Sequence, residues 1–518
     1  MRQPLQLGDD VEPDWWEYTP AVANYDVFVQ DLYSFFYFRG VRGTLVNLLM
    51  QQLVLAFSIV FSIFVMACIR WDALMACKDE KTCHPLPHYV DWSWLRTASG
   101  KTAFMVLYFT TMLLMWLFSV ARGAVLYSRT REMSQFYRQM GITDHSIGSM
   151  RWPEVLERVR QHHTHLDAQS VVNRIMRKDN YLIALANHGM LDVSIGGVTL
   201  PYCRALETSL HLCLLSKMFS DQHRLRESFL YDHEALARSL FRCGLLQLLL
   251  CPFLVLFIVC HFFMRHIQDW HTQRNYFGPR VYGMYGKLRL QEYNELPHLL
   301  ERRIALSYKD AHRYMQSFPH PAAAAVCKGL MFVSGSLVTL LLLFTVLEES
   351  ILVRVTLWGH QLLFYLTLLS TVFAASRACA PASDKPIRYT SEECMERVAQ
   401  HTHHFPPAWK GHCHTDKVRQ EFALLYRYKL LLLWDEIIGT LLCPWVLMLH
   451  HSRRAPALLN FLREHTVNTE ALGSICSYGS FHILCRSVQH DDKMSHSLLG
   501  FSQSYPAFCQ AQQPLRQD

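Results

Sequence analysis

Asn187-His188-Gly-Met-Leu-Asp192 sets a histidine and an aspartate close together. The pattern is near that of membrane acyltransferases, in which the carboxylate orients a general base. The spacing is one residue too short, so a structural loop is expected. Gly100-Lys101-Thr102 mimics the end of a phosphate-binding loop. The glycine that such a loop needs would fall at Leu95, so nucleotide binding is not expected. Histidines cluster at His162/His163/His165, at His401/His403/His404 and at His412/Cys413/His414. Zinc needs four converging ligands. Cys394, His401, His412 and Cys413 could be assembled into such a set, but their spacing matches no standard finger. No metal and no cofactor are expected. Asp435 and Glu436 are different, because they lie inside an apolar run. An ionisable group in or near a membrane segment is a functional hypothesis by default. The competing reading pairs them with Arg427 or Lys429 at the membrane surface. Arg274, Arg280, Lys287 and Arg289 follow another apolar run, where they would meet phosphate headgroups or form a solvated face.

The apolar runs are what position these charges. Half of the 518 residues are apolar and only 18% are charged, against about 25% in soluble proteins. The net charge of +7 comes with no basic stripe interleaved with aromatics, which argues against nucleic acid. It suits cytosolic surfaces facing anionic headgroups. Crossing ~30 Å of hydrocarbon takes about 20 residues of helix. Thr44–Ile69, Thr102–Ala121, Gly329–Leu347 and Val355–Ser376 meet that requirement, each bordered by charge.

Two further runs carry an internal proline, in Leu250-Cys251-Pro252-Phe253 and in Leu442-Cys443-Pro444-Trp445. Proline removes a helical hydrogen bond and kinks the helix. Asp435 and Glu436 would each cost about 2.5–3.5 kcal/mol at mid-depth. Without them, Ile437–Leu449 is thirteen residues, about 20 Å of helix, too short to cross. Both runs are expected to be re-entrant, turning at Pro252 and Pro444. Broken helices survive at membrane depth only when buried in protein or lining a wet cavity.

The expected fold is therefore an all-α polytopic membrane protein with four transmembrane helices, two re-entrant segments and cytosolic helical regions. Its first half would run as a cytosolic segment 1–43, a transmembrane helix 44–69, a lumenal loop 70–101, a transmembrane helix 102–127, a cytosolic region 128–242 and a re-entrant segment 243–264. Cytosolic helices 265–328, a transmembrane helix 329–347, a lumenal hairpin 348–354 and a transmembrane helix 355–376 would follow. A cytosolic region 377–429, a re-entrant segment 430–449 and a cytosolic C-terminal region 450–518 would complete it. Border charges favour cytosolic termini, although the loop Arg70–Lys101 is nearly balanced, with five basic and four acidic residues. Cys77 and Cys83 lie in that loop, where an oxidising compartment would favour a disulfide. Most other cysteines lie in apolar runs and act as small hydrophobes.

With these segments in order, short motifs accumulate. Trp152-Pro-Glu-Val155 opens the cytosolic block, and Asn180-Tyr181-Leu182-Ile183-Ala184-Leu185 follows. Then come Tyr285-Gly286, Tyr293-Asn294-Glu295-Leu296, Tyr314-Met315 and Gly335-Ser336-Leu337. Pro406, Trp409, Gly411, Glu421-Phe422, Tyr428-Lys429 and Glu436 surround the second proline segment. Phe461-Leu462-Arg463 and Gly473 to Cys476-Ser477 close the series. From about residue 30 to residue 505 the chain resembles the autophagy-related protein nine family of phospholipid scramblases.

The resemblance implies a homotrimer with exchanged helices, carried in Golgi-derived vesicles and found at the preautophagosomal structure and endosomal membranes. It implies ATP-independent movement of phospholipids between leaflets, without covalent chemistry. It also implies partners among autophagy factors, including a lipid-transfer protein. Arg274, Arg280, Glu292, Asp435 and Glu436 are the candidate lining of the lipid path. Where relatives carry a lysine-arginine-glutamate cluster, this chain has His271-Thr272-Gln273 beside Arg274. Its ends are shorter than is common in the family, so regulatory sites there are expected to be absent or altered. The alternatives are a membrane scaffold that shapes vesicles and recruits autophagy factors, and a small-solute transporter. A transporter would need an ionisable group deep in a crossing helix, and the four spans offer only His360.

Overall fold

Apolar side chains in unbroken helical runs satisfy every backbone group internally, so the charge-free stretches become the longest helices. The computed structural model describes residues 25–76, 85–96, 99–162, 167–195, 198–220, 223–272, 280–318, 321–348, 350–379, 390–469, 472–481 and 492–506. Helix α1 (Tyr25–Tyr37) leads into α2 (Gly40–Ile63), which widens into a π-helical turn through Cys68. Helix α3 (Gly100–Gln139) starts where the Ser99 hydroxyl accepts from Thr102 N–H. Then come α4 (His233–Thr272), α5 (Pro321–Leu347), α6 (Leu362–Cys379) and α7 (Lys429–Trp445), the last continued by a π turn to His451. A final helix, α8, spans Asp492–Ser504. Five helices are long and apolar enough to cross a membrane: Gly40–Cys68, Gly100–Gln139, His233–Met264, Ala324–Leu347 and Lys429–His451. Leu362–Arg377 is apolar but shorter.

The chain is mostly helical, with four short antiparallel strand pairs among the described residues. Two of them matter below. Strand β1 (Arg280–Tyr282) pairs with β4 (Tyr426–Tyr428), and β2 (Thr356–Leu357) pairs with β3 (His360–Gln361). The expected helix over 355–376 therefore starts only at Leu362, after a strand hairpin. The helix Asp416–Leu425 gives way directly to β4. The helix expected over 102–127 runs instead to Gln139. Its 40 residues make about 60 Å, twice the hydrocarbon thickness, and the excess projects into a packed core.

The backbone stays helical on both sides of Pro252 and Pro444. Each proline sits inside a helix that continues through it. A proline forfeits one backbone bond, and neighbouring groups can make up for that loss in a packed helix.

Two large buried cores hold the shorter helices, the first joining them to the apolar ones. The first gathers α1, the end of α3, the helices Trp152–His162 and Arg177–Asn187, the start of α4, the end of α7 and α8. Tyr137 of α3 stacks on Phe35 at 4.4 Å and donates to Leu32 O at 2.8 Å, fixing α1 to α3. Asp26 of α1 accepts from Arg177 at 2.6 Å and from Arg174 at 3.1 Å. The second core joins the helices Pro297–Gln316, Ser391–Thr402 and Asp416–Leu425 to the β1–β4 pair. Helices α5 and α6 leave this core and pack principally on each other.

Two measurements follow. A Cβ at Gly244 of α4 would stand 2.7 Å from Met448 Cγ and 2.9 Å from Pro444 O. Gly244→Ala, worth about 1 kcal/mol of gain in a free helix, should instead lose roughly 1–3 kcal/mol through overpacking, read by thermal unfolding in detergent. Burial holds His298 down to about 4, and burial with the Lys493 and Arg289 charges does the same to His404. Below the ordinary 6.5 the unfolded chain takes up protons that the folded chain refuses. Stability should therefore fall as pH drops from 6.5 toward 4. His404→Phe should flatten that slope, removing on the order of 3 kcal/mol of it.

Candidate functional site

Helices α4 and α7 lie antiparallel, and their Leu-Cys-Pro segments meet. Pro444 has no N–H to give to the carbonyl of Thr440, four residues earlier. The Cys251 thiol of α4 turns to that carbonyl, Sγ to O 3.6 Å. One turn past Thr440, the Pro444 carbonyl rests against Gly244. The residue before one proline thus mends the backbone defect left by the other. Beside the crossing, Leu191, Tyr202, Cys203, Gly439, Leu442 and Cys443 help line a small cleft.

A second feature is a polar seam within the apolar bundle. Tyr108 of α3 and Ser62 of α2 are 2.9 Å apart. The Ser62 hydroxyl already donates to Ile59 O at 2.7 Å, so the tyrosine is the donor. Gln52 donates to Ser119 at 2.9 Å, and the Trp116 indole donates to Gln52 O. Ser58 gives its proton to Val54 O at 2.7 Å and lies 3.1 Å from His261 Nδ1 of α4, which makes the imidazole the donor.

These contacts also fix where α4 goes after Pro252. Phe253 lies 5.3 Å from Phe104 and 6.4 Å from Tyr108, ring centre to ring centre. Eight residues later His261 meets Ser58, a turn before Ser62 and so level with the turn after Tyr108. Eight residues advance about 12 Å along a helix. The level of contact nevertheless moves back toward the first core. Past Pro252, α4 runs across α2 and α3 rather than onward beside them.

Charge gathers where β4 enters α7. Asp435 accepts from Arg427 at 2.6 Å. Arg280, opposite Tyr428 in the strand pair, stacks its guanidinium 4.0 Å over that ring. Glu436 accepts from the backbone N–H of Arg204 at 3.3 Å. In the strand register Arg280 shares a face with Tyr428 and Arg427 takes the opposite one, so Arg427 alone of the two pairs with a carboxylate of α7. Nothing in this arrangement resembles a nucleophile with its base.

A family model described as "Autophagy protein ATG9" matches residues 17–482. The chain belongs to the ATG9 family. An Autophagy-related protein 9 of Arabidopsis thaliana is 31% identical, over 94% of this chain and 62% of its own length. One of Aspergillus clavatus is 29% identical, over 92% of this chain and 53% of its own. The chain thus spans between about half and three fifths of the curated relatives it matches. The cryo-EM structure of Schizosaccharomyces pombe Atg9 superposes with a TM-score of 0.65 at 28% identity, covering 89% of this chain and 99% of that one.

Within this ATG9-family framework, Asp435 and Glu436 are neighbours on α7, one paired with Arg427 and the other with the Arg204 N–H, while Arg280 packs on the Tyr428 ring and Glu292 lies apart. Glu292 is buried between the two cores, hydrogen-bonded to His403. Burial alone would raise its carboxyl, but His403, Arg303 and Lys493 outweigh that and hold it below the ordinary range. Lys493 of α8 is driven by burial down to about 7. This network ties α8 down, so Glu292 is a structural carboxylate rather than path lining. Arg274, Cys77 and Cys83 lie outside the described residues, as does Gln273. His188 hydrogen-bonds Tyr478 at 2.7 Å, and Asp192 accepts from Tyr285 at 3.4 Å, so the two do not form a pair. Cys413 donates to Trp409 O, and no group of three or more metal-competent side chains gathers among the described residues.

The seam residues Gln52, Ser58, Ser62, Tyr108 and His261 are neutral and so leave no charge inside the apolar runs of the sequence. The available signal was Ser58 and Ser62 at helical spacing, on one face of α2. Ser58→Ala should weaken the α2–α4 contact by about 0.6–1.7 kcal/mol, the range for hydrogen bonds between membrane helices. Ser336→Ala, whose hydroxyl serves only its own helix at Phe332 O, should not. Unfolding in detergent compares the two.

Proposed function

We propose that the chain is an ATP-independent phospholipid scramblase of autophagy vesicles, supporting autophagosome membrane formation and expansion. A headgroup in bare hydrocarbon loses its water at a cost of many kcal/mol. A groove with polar lining, open sideways to lipid, lowers that barrier without covalent chemistry. The observation that carries the reading is the course of α4. Its half after Pro252 lies across α2 and α3, with Ser58, Ser62, Tyr108 and His261 hydrogen-bonded in the same layer. A helix that stops advancing inside the membrane interrupts close lipid-like packing, and these polar groups can exchange partners with a passing headgroup. The Arg427–Asp435 pair and the adjacent Glu436 would receive the headgroup at the cytosolic border.

The self-packed α5–α6 hairpin supports the homotrimer with exchanged helices, since its apolar faces are open to a neighbouring copy. Both termini would lie in the cytosol, in vesicle, Golgi, endosomal and preautophagosomal membranes. A lipid-transfer protein and other autophagy factors would be the partners. A vesicle-shaping scaffold remains the second reading, favoured by the large cytosolic cores. The transporter reading loses its remaining residue, because His360 sits in β3 rather than in a crossing helix.

Purified chain in liposomes with a fluorescent phospholipid should equilibrate the label between leaflets without nucleotide. Arg427→Leu with Asp435→Leu should slow this by roughly tenfold, about 1.4 kcal/mol of barrier. A label that stays in its leaflet would exclude scrambling. If the double variant ceases to scramble yet sustains autophagy in cells, the scaffold is the working role.

A further inference from the structure

Between α5 and α6 the chain makes a two-residue hairpin, Thr356 opposite Gln361 and Leu357 opposite His360, turned by Trp358-Gly359. Both turn residues have left-handed backbone, φ 49° and 81°. That geometry favours Asn-Gly, and a bulky side chain in the first position is strained. Trp358 is nevertheless 87% exposed, the largest exposure among the large apolar side chains described. Val353, Val355 and Leu357 around it are exposed too. The hairpin is held rather than loose. Tyr365 of α6 donates to Leu357 O at 2.9 Å, Leu362 N–H to Val355 O at 3.1 Å, and His360 stacks 4.8 Å from Phe364.

Two exclusions fix its surroundings. A two-stranded pair leaves outer backbone groups without partners, which hydrocarbon does not tolerate. A cluster of exposed valine, leucine and tryptophan is equally unsuited to bulk water. The layer that accepts both is the glycerol and headgroup zone, where tryptophan concentrates. Length agrees. The charge-free part of α6, Leu362–Ser376, is fifteen residues, about 22 Å, roughly 8 Å short of the hydrocarbon thickness. With Arg377 at the near border, the start of α6 stops below the far one, and the hairpin fills the remaining distance.

We propose that Trp358 and its hairpin bind phospholipid in the interfacial layer of the leaflet remote from the two cores. This holds independently of whether the chain scrambles lipid. The contact anchors the outer end of the α5–α6 hairpin at a fixed depth and accounts for a strained tryptophan where asparagine would serve the turn.

The test places a photoreactive benzophenone side chain at this position, Trp358→p-benzoylphenylalanine, in the full chain reconstituted in phosphatidylcholine liposomes. Irradiation should yield a lipid adduct by mass spectrometry at several times the level from the same side chain at exposed Leu424, on the second core. Cross-linking to a second copy of the chain would assign the tip to a subunit contact and overturn the proposal, as would no adduct above the Leu424 level. Trp358→Asn keeps the turn. It should unfold in detergent at the same or higher temperature than the parent while losing protection of Gly359 and His360 from water-soluble labels in liposomes. Unchanged protection would also overturn the proposal.

Discussion

The contact between α4 and α7 is the constraint on which the remaining arrangement rests. Two helices each carry a proline that deprives a carbonyl of its N–H, and they are placed so that one supplies a thiol where the other lacks an amide. The mended carbonyl is Thr440 O and the donor is Cys251. Gly244 lets the Pro444 carbonyl close in on the opposite side. This contact sets the height of α7 against α4, and with it the level of Asp435 and Glu436. It also fixes the point from which α4 departs across α2 and α3. Cysteine suits the position because it is small and apolar yet retains a weak donor.

Much of the architecture could be read from composition. Long charge-free runs became α2, α3 and α5, and the proline segments became helices of unusual course. Backbone preference yields where packing overrides it. Pro252 and Pro444 are interior residues of helices that continue past them, because a neighbouring helix compensates for the lost hydrogen bond. At Val355–Gln361 the run of apolar residues concealed a strand hairpin. Hydropathy does not distinguish a short strand pair from the first turns of a helix, and Trp358 in a left-handed turn runs against its own local preference.

The site was partly legible for a related reason. Asp435 and Glu436 stand out because charge is costly in apolar surroundings; Asp435 pairs with Arg427 and Glu436 with the Arg204 N–H. Glu292 was named on charge alone and proved to be a buried partner of His403. The neutral seam was invisible to that criterion, since a serine or histidine hardly lowers the hydropathy of a window. Its members are recognisable only once three helices are in register, when Ser58 meets His261 and Ser62 meets Tyr108.

That the seam is neutral bears on how a lipid could pass. A fixed charge at membrane depth would bind a headgroup of opposite sign tightly, and tight binding stalls transit as surely as no binding. Hydroxyl, amide and imidazole groups offer hydrogen bonds of similar strength to a phosphate, an ammonium-bearing headgroup or water. Each seam donor already has a partner, so a headgroup exchanges one hydrogen bond for another, with a small net change. Under the proposed function, charge stays at the border, where Arg427 and Asp435 neutralise each other and would open to either half of a zwitterion. On this reasoning the structure suits passage with little discrimination among headgroups. That is what an activity that equalises leaflets requires, and what a solute-specific carrier would avoid.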